Sequence, residues 1–574
     1  MQRLEERYDL VIAGSGGGSM CAALLYKTFG RRAVILEKQY RVGGSTGFSG
    51  GVWWVPNNHL MAREGIPDSY ERARTYFDAC VTYDGPATTS ARREAFLKAG
   101  PRMAEFLERM GMRFYRPEGW ADYYDDRPGG EPRSRSLMAE LFDIRELGDW
   151  EDRLSTYEPA RKLPLSSHEY TTLFLARRCW AGRFKALKLL WTIVSMKLSG
   201  RDLVANGAAI QGRMLQMALR EQVPIFPETA VRDLIVENGR VTGVVAVRDG
   251  TEVRVMANDG VLLNCGGFSR NQAMREQYGR LPTSAQWTNA NPGDTGELIE
   301  AAIRLGATTD CMDTAWWVIT SANTDGSFPE GAVGASGTLY PFMHHIDLSL
   351  PFSIMVDQTG QRFCDEAGSY MEIGERMYER HLATGKGIPA WTIFDARHRK
   401  WYPWGTQPPG VTPKSWIESG YMKKAGTLQE LARICGIDAD GLMRAVERYN
   451  GFCREGIDRD FNRGGRAFDR NHGDFTLTPN PSLGPIEQGP YYAVAMYPSD
   501  VGTAGGMVTD EHARVLRADG SPIEGLYATG NCTASVMGRS YPAAGASIGP
   551  SFTFGYIAAW HAAGRAGELR RLMG

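Results

Sequence analysis

The sequence predicts an α/β protein: a Rossmann-like dinucleotide-binding domain, discontinuous along the chain, with an inserted α+β catalytic domain. Three observations carry this expectation. The chain opens on an apolar run, a glycine-rich turn, a helix-forming segment and a second short apolar run. Further apolar, strand-like runs at Gly260–Asn271 and Gly525–Ser535 end in glycine pairs or Gly-Asn. A length of 574 residues suits two or three domains rather than one.

Taken in order, Tyr8 to Ala13 has strand length, and Ser19 to Phe29 has helical composition with Ala22, Ala23 and Leu25 free to face a sheet. Ala33 to Leu36 is the second strand, ending at Glu37 and Lys38. Between the first strand and the helix lie Gly14, Ser15, Gly16 and Gly18, with Ser19 at the third fingerprint position, where glycine is usual. Gly14 permits a tight turn, Gly16 lets a pyrophosphate approach the backbone, and the helix N-terminus offers free N–H groups. Glu37 suits capture of ribose hydroxyls.

A second glycine-rich stretch follows directly, GGSTGFSGG from Gly43 to Gly51. NAD domains seldom carry one, whereas flavoproteins use it to extend the pyrophosphate site and bring N–H groups near the isoalloxazine. Gly44, Ser45, Thr46, Ser49, Gly50 and Gly51 are therefore expected to bind FAD. Val223 to Val247 reads as a strand and a β-hairpin turning at Asn238-Gly239, with Val231 near an adenine. Gly266, Gly267, Gly530 and Asn531 end later strands, and Ser547 and Ile548 are expected to bind the cofactor ahead of Gly549 and Pro550, which carry the chain towards a C-terminal helix beside the flavin.

A formal charge of −1 gives no sign of nucleic acid binding. Nine scattered cysteines without a CxxC imply a reducing compartment. MQRLEERYDL has no apolar signal core, and no run of about 18 apolar residues occurs, so a cytoplasmic protein is expected. No metal constellation and no internal repeat is visible.

Thr171 to Arg201 differs from the rest. Leu173, Ala176, Trp180, Phe184, Leu187, Trp191, Val194 and Leu198 form one helical stripe, and Arg177, Arg178, Arg183, Lys185, Lys188 and Lys197 face no acidic residue in the stretch. Such a helix either lies on an anionic membrane surface, peripherally on its inner face, or packs on the protein core with its lysines in water.

Near the C-terminus, GRSYPAAGASIGP sets Tyr541 in a run of small residues. The loop after it exposes backbone donors. Together with SGGVWWVPNNHL (Ser49 to Leu60), GDTGELIEAAIRLGATTDCMDTAWW (Gly293 to Trp317) and DQTGQRFCDEAGSY (Asp357 to Tyr370), it resembles the 3-ketosteroid Δ1-dehydrogenases of the succinate dehydrogenase/fumarate reductase flavoprotein superfamily. The resemblance spans most of the chain. It implies non-covalent FAD, since no histidine stands between Arg41 and Asn58, where relatives with covalent flavin carry one.

It also implies a 3-ketosteroid substrate, with cholest-4-en-3-one-like sterols included, and an external electron acceptor. Tyr541 and the N–H of Gly545 would bind the C3 ketone, Tyr370 would take the C2 proton, and Tyr123, or the adjacent Tyr124, would tune it. A tyrosine base needs a lowered pKa, expected from its hydrogen-bonded neighbour and the flavin. Ala543 stands where relatives commonly have glycine. Alternatives are a 3-keto-5α-steroid Δ4-dehydrogenase, and a fumarate reductase-like enzyme anchoring a dicarboxylate through Arg362 and His344-His345. The expected domains are 1–330 with 500–574 for FAD, including a basic amphipathic insertion at about 165–201, and 331–499 for catalysis.

Overall fold

The structure, a computed structural model, describes residues 4–574. An eight-stranded sheet forms the first layer. At its centre Arg7–Ala13 lies parallel to Ala33–Leu36 on one side and to Thr251–Leu263 on the other. Ile225–Phe226 extends one edge and Pro522–Ala528 the other, both parallel. The strands Thr229–Glu237 and Arg240–Arg248 form an antiparallel hairpin, with positive φ at both Asn238 and Gly239 as a type I′ turn requires. The predicted βαβ unit is present, its helix running Gly17–Thr28.

The second sheet has six strands, all antiparallel, centred on Tyr491–Thr503. Ala315–Ser321 pairs in this sheet, so the strands of the second layer begin ahead of position 331 and reach Thr503. Helix Tyr370–Thr384 packs on Ala315–Ser321 at Gly374, where a Cβ would stand only 2.4 Å from that of Trp317. That close approach fixes the helix N-terminus, and with it Tyr370.

A three-stranded ribbon of Val52–Trp54, Ser136–Ala139 and Phe114–Tyr115 underlies the junction of the layers. Trp53 and Trp54 are buried in it, each burial contributing roughly 1.5–3 kcal/mol. They belong to the core, as does Trp317, whose indole donates to Glu375 at 2.9 Å. Trp316 alone of these four reaches the cavity.

The basic amphipathic stretch is two helices, Tyr170–Phe174 and Trp180–Ser199. The break between them follows from Leu175, which is buried against Leu350, Phe352 and Tyr402 and pulls the chain inward. The apolar stripe of the second helix is not packed on the core: Trp180 is 80% exposed, Phe184 71%, Trp191 69% and Leu198 81%. No helix among the described residues is long and apolar enough to cross a membrane.

Candidate active site

One cavity of about 490 Å³ joins the C-terminal ends of the first sheet to the second sheet. Its first half is a nucleotide cradle. Gly14 turns there at φ +94°, and a Cβ on it would stand 2.2 Å from the carbonyl oxygen of Asn264. The N-cap of the helix Gly17–Thr28 is Gly16, which has no side chain to cover the positive end of the helix. GGSTGFSGG is not an open loop: Gly44–Phe48 forms a short helix, and Thr46 Oγ1 accepts from the N–H of Gly17 at 3.3 Å.

Glu37 is buried at the far end. Its carboxylate accepts from the N–H and hydroxyl of Ser15 at 3.0 and 2.6 Å and from the N–H of Gln39 at 2.9 Å. Burial raises its pKa against these hydrogen bonds. Gly14, Ser15, Gly16, Glu37, Lys38, Gly44, Ser45, Thr46, Ser49, Gly50, Gly51, Val231, Gly266, Gly530, Asn531, Ser547 and Ile548 all line the cavity.

Two expected cofactor residues do not. Gly18 faces the C-terminal helix, where a Cβ would lie 2.5 Å from the Ser551 carbonyl oxygen; it performs the close packing that the fingerprint assigns to the next position. Gly267 faces Thr503, with 2.0 Å left for a Cβ. Both are glycine for packing. The sequence reading missed Asp294, a buried cavity residue whose carboxylate accepts from Ser45 Oγ at 3.2 Å. Burial pushes its pKa up to about 7. An acid inside the glycine-flanked NPGDTGE was its available signal. Asn264, which ties Ser19 to Thr529, had none.

The cradle fits FAD: a glycine turn that no side chain would allow, a helix N-terminus whose N-cap is glycine, and a buried acid placed opposite.

The second half is aromatic. Tyr123, Tyr370 and Tyr541 line it together, with ring centroids 5.8 Å (Tyr123–Tyr370), 5.7 Å (Tyr123–Tyr541) and 5.3 Å (Tyr370–Tyr541) apart. Tyr124 turns away, under the guanidinium groups of Arg127 and Arg466. The loop of Tyr123 is held by Ala467, whose N–H donates to Asp125 at 3.0 Å, and by Phe468, whose ring lies 4.2 Å from that of Tyr123. Tyr541 Oη lies 3.2 Å from Ser547 Oγ, and its ring packs on Trp316.

Gly545 sits at φ +91° against Val52, its carbonyl accepting from Trp54, while its N–H enters no backbone hydrogen bond among the described residues. Ala543 has an ordinary φ, so this position does not need glycine.

Tyr370 does not have the lowered pKa expected of the base. Burial raises both Tyr123 and Tyr370 well above their ordinary value. Tyr370 opens a 15-residue helix, whose positive end favours a phenolate by only about 0.3–1 kcal/mol, less than burial costs it.

The dicarboxylate anchor is also corrected. Arg362 is buried in an ion cluster with Glu366 and Asp458, at 2.8 and 2.9 Å, away from the cavity. Among the described residues, the two cations on the cavity wall are already paired: Lys38 with Glu297 and Arg161 with Asp202. His344 is buried behind the wall. His345 lies on it.

The FAD binding domain family model matches residues 9–548. The chain is 40% identical to the 3-oxosteroid 1-dehydrogenase of Mycolicibacterium smegmatis, over 99% of each chain. It is 34% identical to the 4-oxocyclohexanecarboxylate 2-dehydrogenase of Sinomonas cyclohexanicum, over 97% of this chain and 93% of that one. Among solved structures, a 3-ketosteroid Δ1-dehydrogenase from Sterolibacterium denitrificans, in complex with 1,4-androstadiene-3,17-dione, superposes with a TM-score of 0.90 at 37% identity, covering 98% of this chain and all of the other.

Proposed function

This chain belongs to the 3-oxosteroid 1-dehydrogenase family of FAD-binding flavoproteins, and from that premise we propose that it converts 3-keto-4-ene steroids to 3-keto-1,4-dienes. The observation that carries the reading is the convergence of Tyr123, Tyr370 and Tyr541 in the cavity that also holds the dinucleotide cradle.

FAD, held non-covalently by the cradle of Gly14, Gly16, Thr46 and Glu37, would supply the acceptor for the hydride that leaves C1, and an external acceptor would take up its electrons. The chain supplies the rest. Tyr541 Oη and the free N–H of Gly545 bind the C3 oxygen and stabilise the negative charge that grows there as C2 loses its proton. One such donor is worth about 2.7–4 kcal/mol in the transition state. Tyr370 takes the C2 proton, and Tyr123 holds the ring and hydroxyl of Tyr370 in place. The aromatic wall excludes water from the reacting carbons.

The exposed stripe of Trp180–Ser199 gives the enzyme a docking face for an anionic lipid surface. Its apolar residues are in solvent, Arg183, Lys188 and Lys197 flank them in the open, and the segment 171–201 contains no acid to oppose them. Tyr170 and Phe174, on the preceding short helix, line the cavity itself. A water-insoluble 3-ketosterol therefore meets the cavity next to the surface in which it dissolves.

Anaerobic mixing of the holoenzyme with androst-4-ene-3,17-dione, with cholest-4-en-3-one and with a 5α-saturated 3-ketosteroid tests the reading. Bleaching of the flavin by the two 4-enes supports it. Bleaching only by the 5α-saturated steroid would make the enzyme a Δ4-dehydrogenase.

A further inference from the structure

We propose that His345 receives the proton that passes through Tyr370, acting as a relay beside the base rather than on the steroid. This rests on the dehydrogenase reading above.

Tyr370 poses a problem of charge. Burial keeps it a neutral phenol at physiological pH. A neutral phenol oxygen accepts a proton from carbon only if its own O–H proton leaves in the same step. Tyr123 and Tyr541, its ring neighbours, are phenols as well. Of the cavity carboxylates, Glu37, Asp294 and Glu297 belong to the nucleotide half, and Asp347 is already engaged by His344 Nδ1 at 2.6 Å.

His345 is placed to accept. Its ring meets that of Tyr370 edge-on at 5.6 Å between centroids, and it faces the cavity. Its side chain caps nothing, and no hydrogen bond reaches either ring nitrogen among the described residues. The neighbouring His344 is not available: Ser321 Oγ lies 2.7 Å from its Nε2 and Asp347 Oδ2 lies 2.6 Å from its Nδ1. With the two ring centroids 5.6 Å apart, the relay is drawn through one bridging water.

The charges around His345 agree with the role. Burial pushes its pKa down to about 4, so the imidazole is neutral at physiological pH and, as a weak base, holds a relayed proton only in passing. Asp347 opposes that shift and stabilises an imidazolium once the proton arrives, while His344 and His472, the other titratable neighbours, disfavour holding it long. The step balances. The C2–H bond breaks as a new O–H bond forms on Tyr370, and the original Tyr370 proton moves through water to His345. The C1 hydride would go to the FAD that the proposed function requires, and the imidazolium later gives its proton to solvent.

The test is anaerobic stopped-flow reduction of the holoenzyme. His345→Phe keeps the ring contact and removes the acceptor, and it should lower the flavin reduction rate roughly 10²-fold with FAD content and steroid affinity unchanged. His345→Ala should be slow in the same way and regain about tenfold with added imidazole, whereas Tyr370→Phe should not respond. A His345→Phe rate within about twofold of the parent, or a His345→Ala rate indifferent to imidazole, overturns the relay. A parent enzyme that no 3-ketosteroid bleaches overturns the dehydrogenase reading first, and the relay with it.

Discussion

The backbone N–H of Tyr123 donates to the carbonyl oxygen of Pro542 at 2.8 Å, so the loop carrying Tyr123 and the loop carrying Tyr541 are fixed to each other. The same oxygen accepts from Tyr76 Oη at 2.6 Å, and Tyr76 Oη in turn accepts from the N–H of Tyr124 at 3.3 Å. Tyr76 touches no part of the cavity, yet it braces two of its three tyrosines. Tyr76→Phe should destabilise the fold by about 1–3 kcal/mol, because a buried N–H is left without its acceptor. Turnover should fall several-fold through misplacement of Tyr123. A urea titration and a steady-state assay on one preparation check both; parent-like values in each would show that the brace is dispensable.

Tyr370→Phe should bind FAD and steroid but leave the flavin oxidised, a loss of at least about 10²-fold in reduction rate. The pH profile separates two ways in which Tyr370 acts. Its raised pKa means that the phenolate fraction grows tenfold per pH unit throughout the working range. With a neutral phenol relaying to His345, the parent rate should stay nearly flat from about pH 6 to 9, and His345→Phe should rise with a slope of about one. A slope of one already in the parent would mean that the phenolate itself is the base.

Both halves of the site were legible where their chemistry is local in sequence. Gly14, Gly16, Ala33–Leu36 and Glu37 follow one another in a fixed order that strand and helix periods define, and the structure places them as the spacing demands. Tyr541 stood out because small residues surround it. What stayed hidden depends on distant segments. Tyr123 and Tyr124 sit in a loop without periodicity, so only Ala467 and Phe468, packed from the far side of the chain, decide which ring faces the cavity. A helical stripe does not say what covers it, so the exposure of Trp180 and Trp191 emerges only from the fold. His345 looked like an anion ligand because its partner was taken to be Arg362, which the structure commits to carboxylates elsewhere.

Asp294 predicts a pH-dependent stability of the FAD-free chain. Its pKa is about 7 in the fold and close to 3.8 when unfolded. Between those values the folded state binds the extra proton, so stability is greatest at low pH, falls as pH rises from about 4 to 7, and levels off above. Asp294→Asn should remove this contribution and be more stable than the parent at pH 8. Thermal melts of both apo-proteins at pH 5 and pH 8 decide the matter, and an unchanged difference between the two pH values in the variant would place the titrating group elsewhere.

Lipid docking should separate cleanly from chemistry. Holoenzyme should float with vesicles containing an anionic phospholipid, and each exposed cation should contribute about 1 kcal/mol to that binding. Lys188→Glu with Lys197→Glu should weaken flotation at least tenfold, and Trp180→Ser with Trp191→Ser should do likewise. Neither pair should alter the reduction rate with dissolved androst-4-ene-3,17-dione. Flotation of either double variant at the parent level would mean that this helix is not the docking face.

Gly545 and Ala543 are two small residues in one loop with opposite expectations. Gly545 has φ +91°, and a Cβ there would stand 2.3 Å from the Val52 carbonyl oxygen and 2.6 Å from the Trp54 nitrogen. Gly545→Ala must therefore shift the loop, break the hydrogen bond from Trp54 N–H and turn its own N–H away from the C3 oxygen. Loss of that donor should cost about 2.7–4 kcal/mol of transition-state stabilisation, or 10²–10³-fold in reduction rate. Ala543 has a conformation open to any residue, and its methyl group is buried without strain. Ala543→Gly should keep the parent reduction rate and lose about 1–2 kcal/mol of stability, because the unfolded chain gains freedom and a buried methyl group is lost. Rapid-reaction kinetics on the two variants test the pair. A large rate change in Ala543→Gly, or none in Gly545→Ala, would show that the oxyanion donor has been placed on the wrong residue.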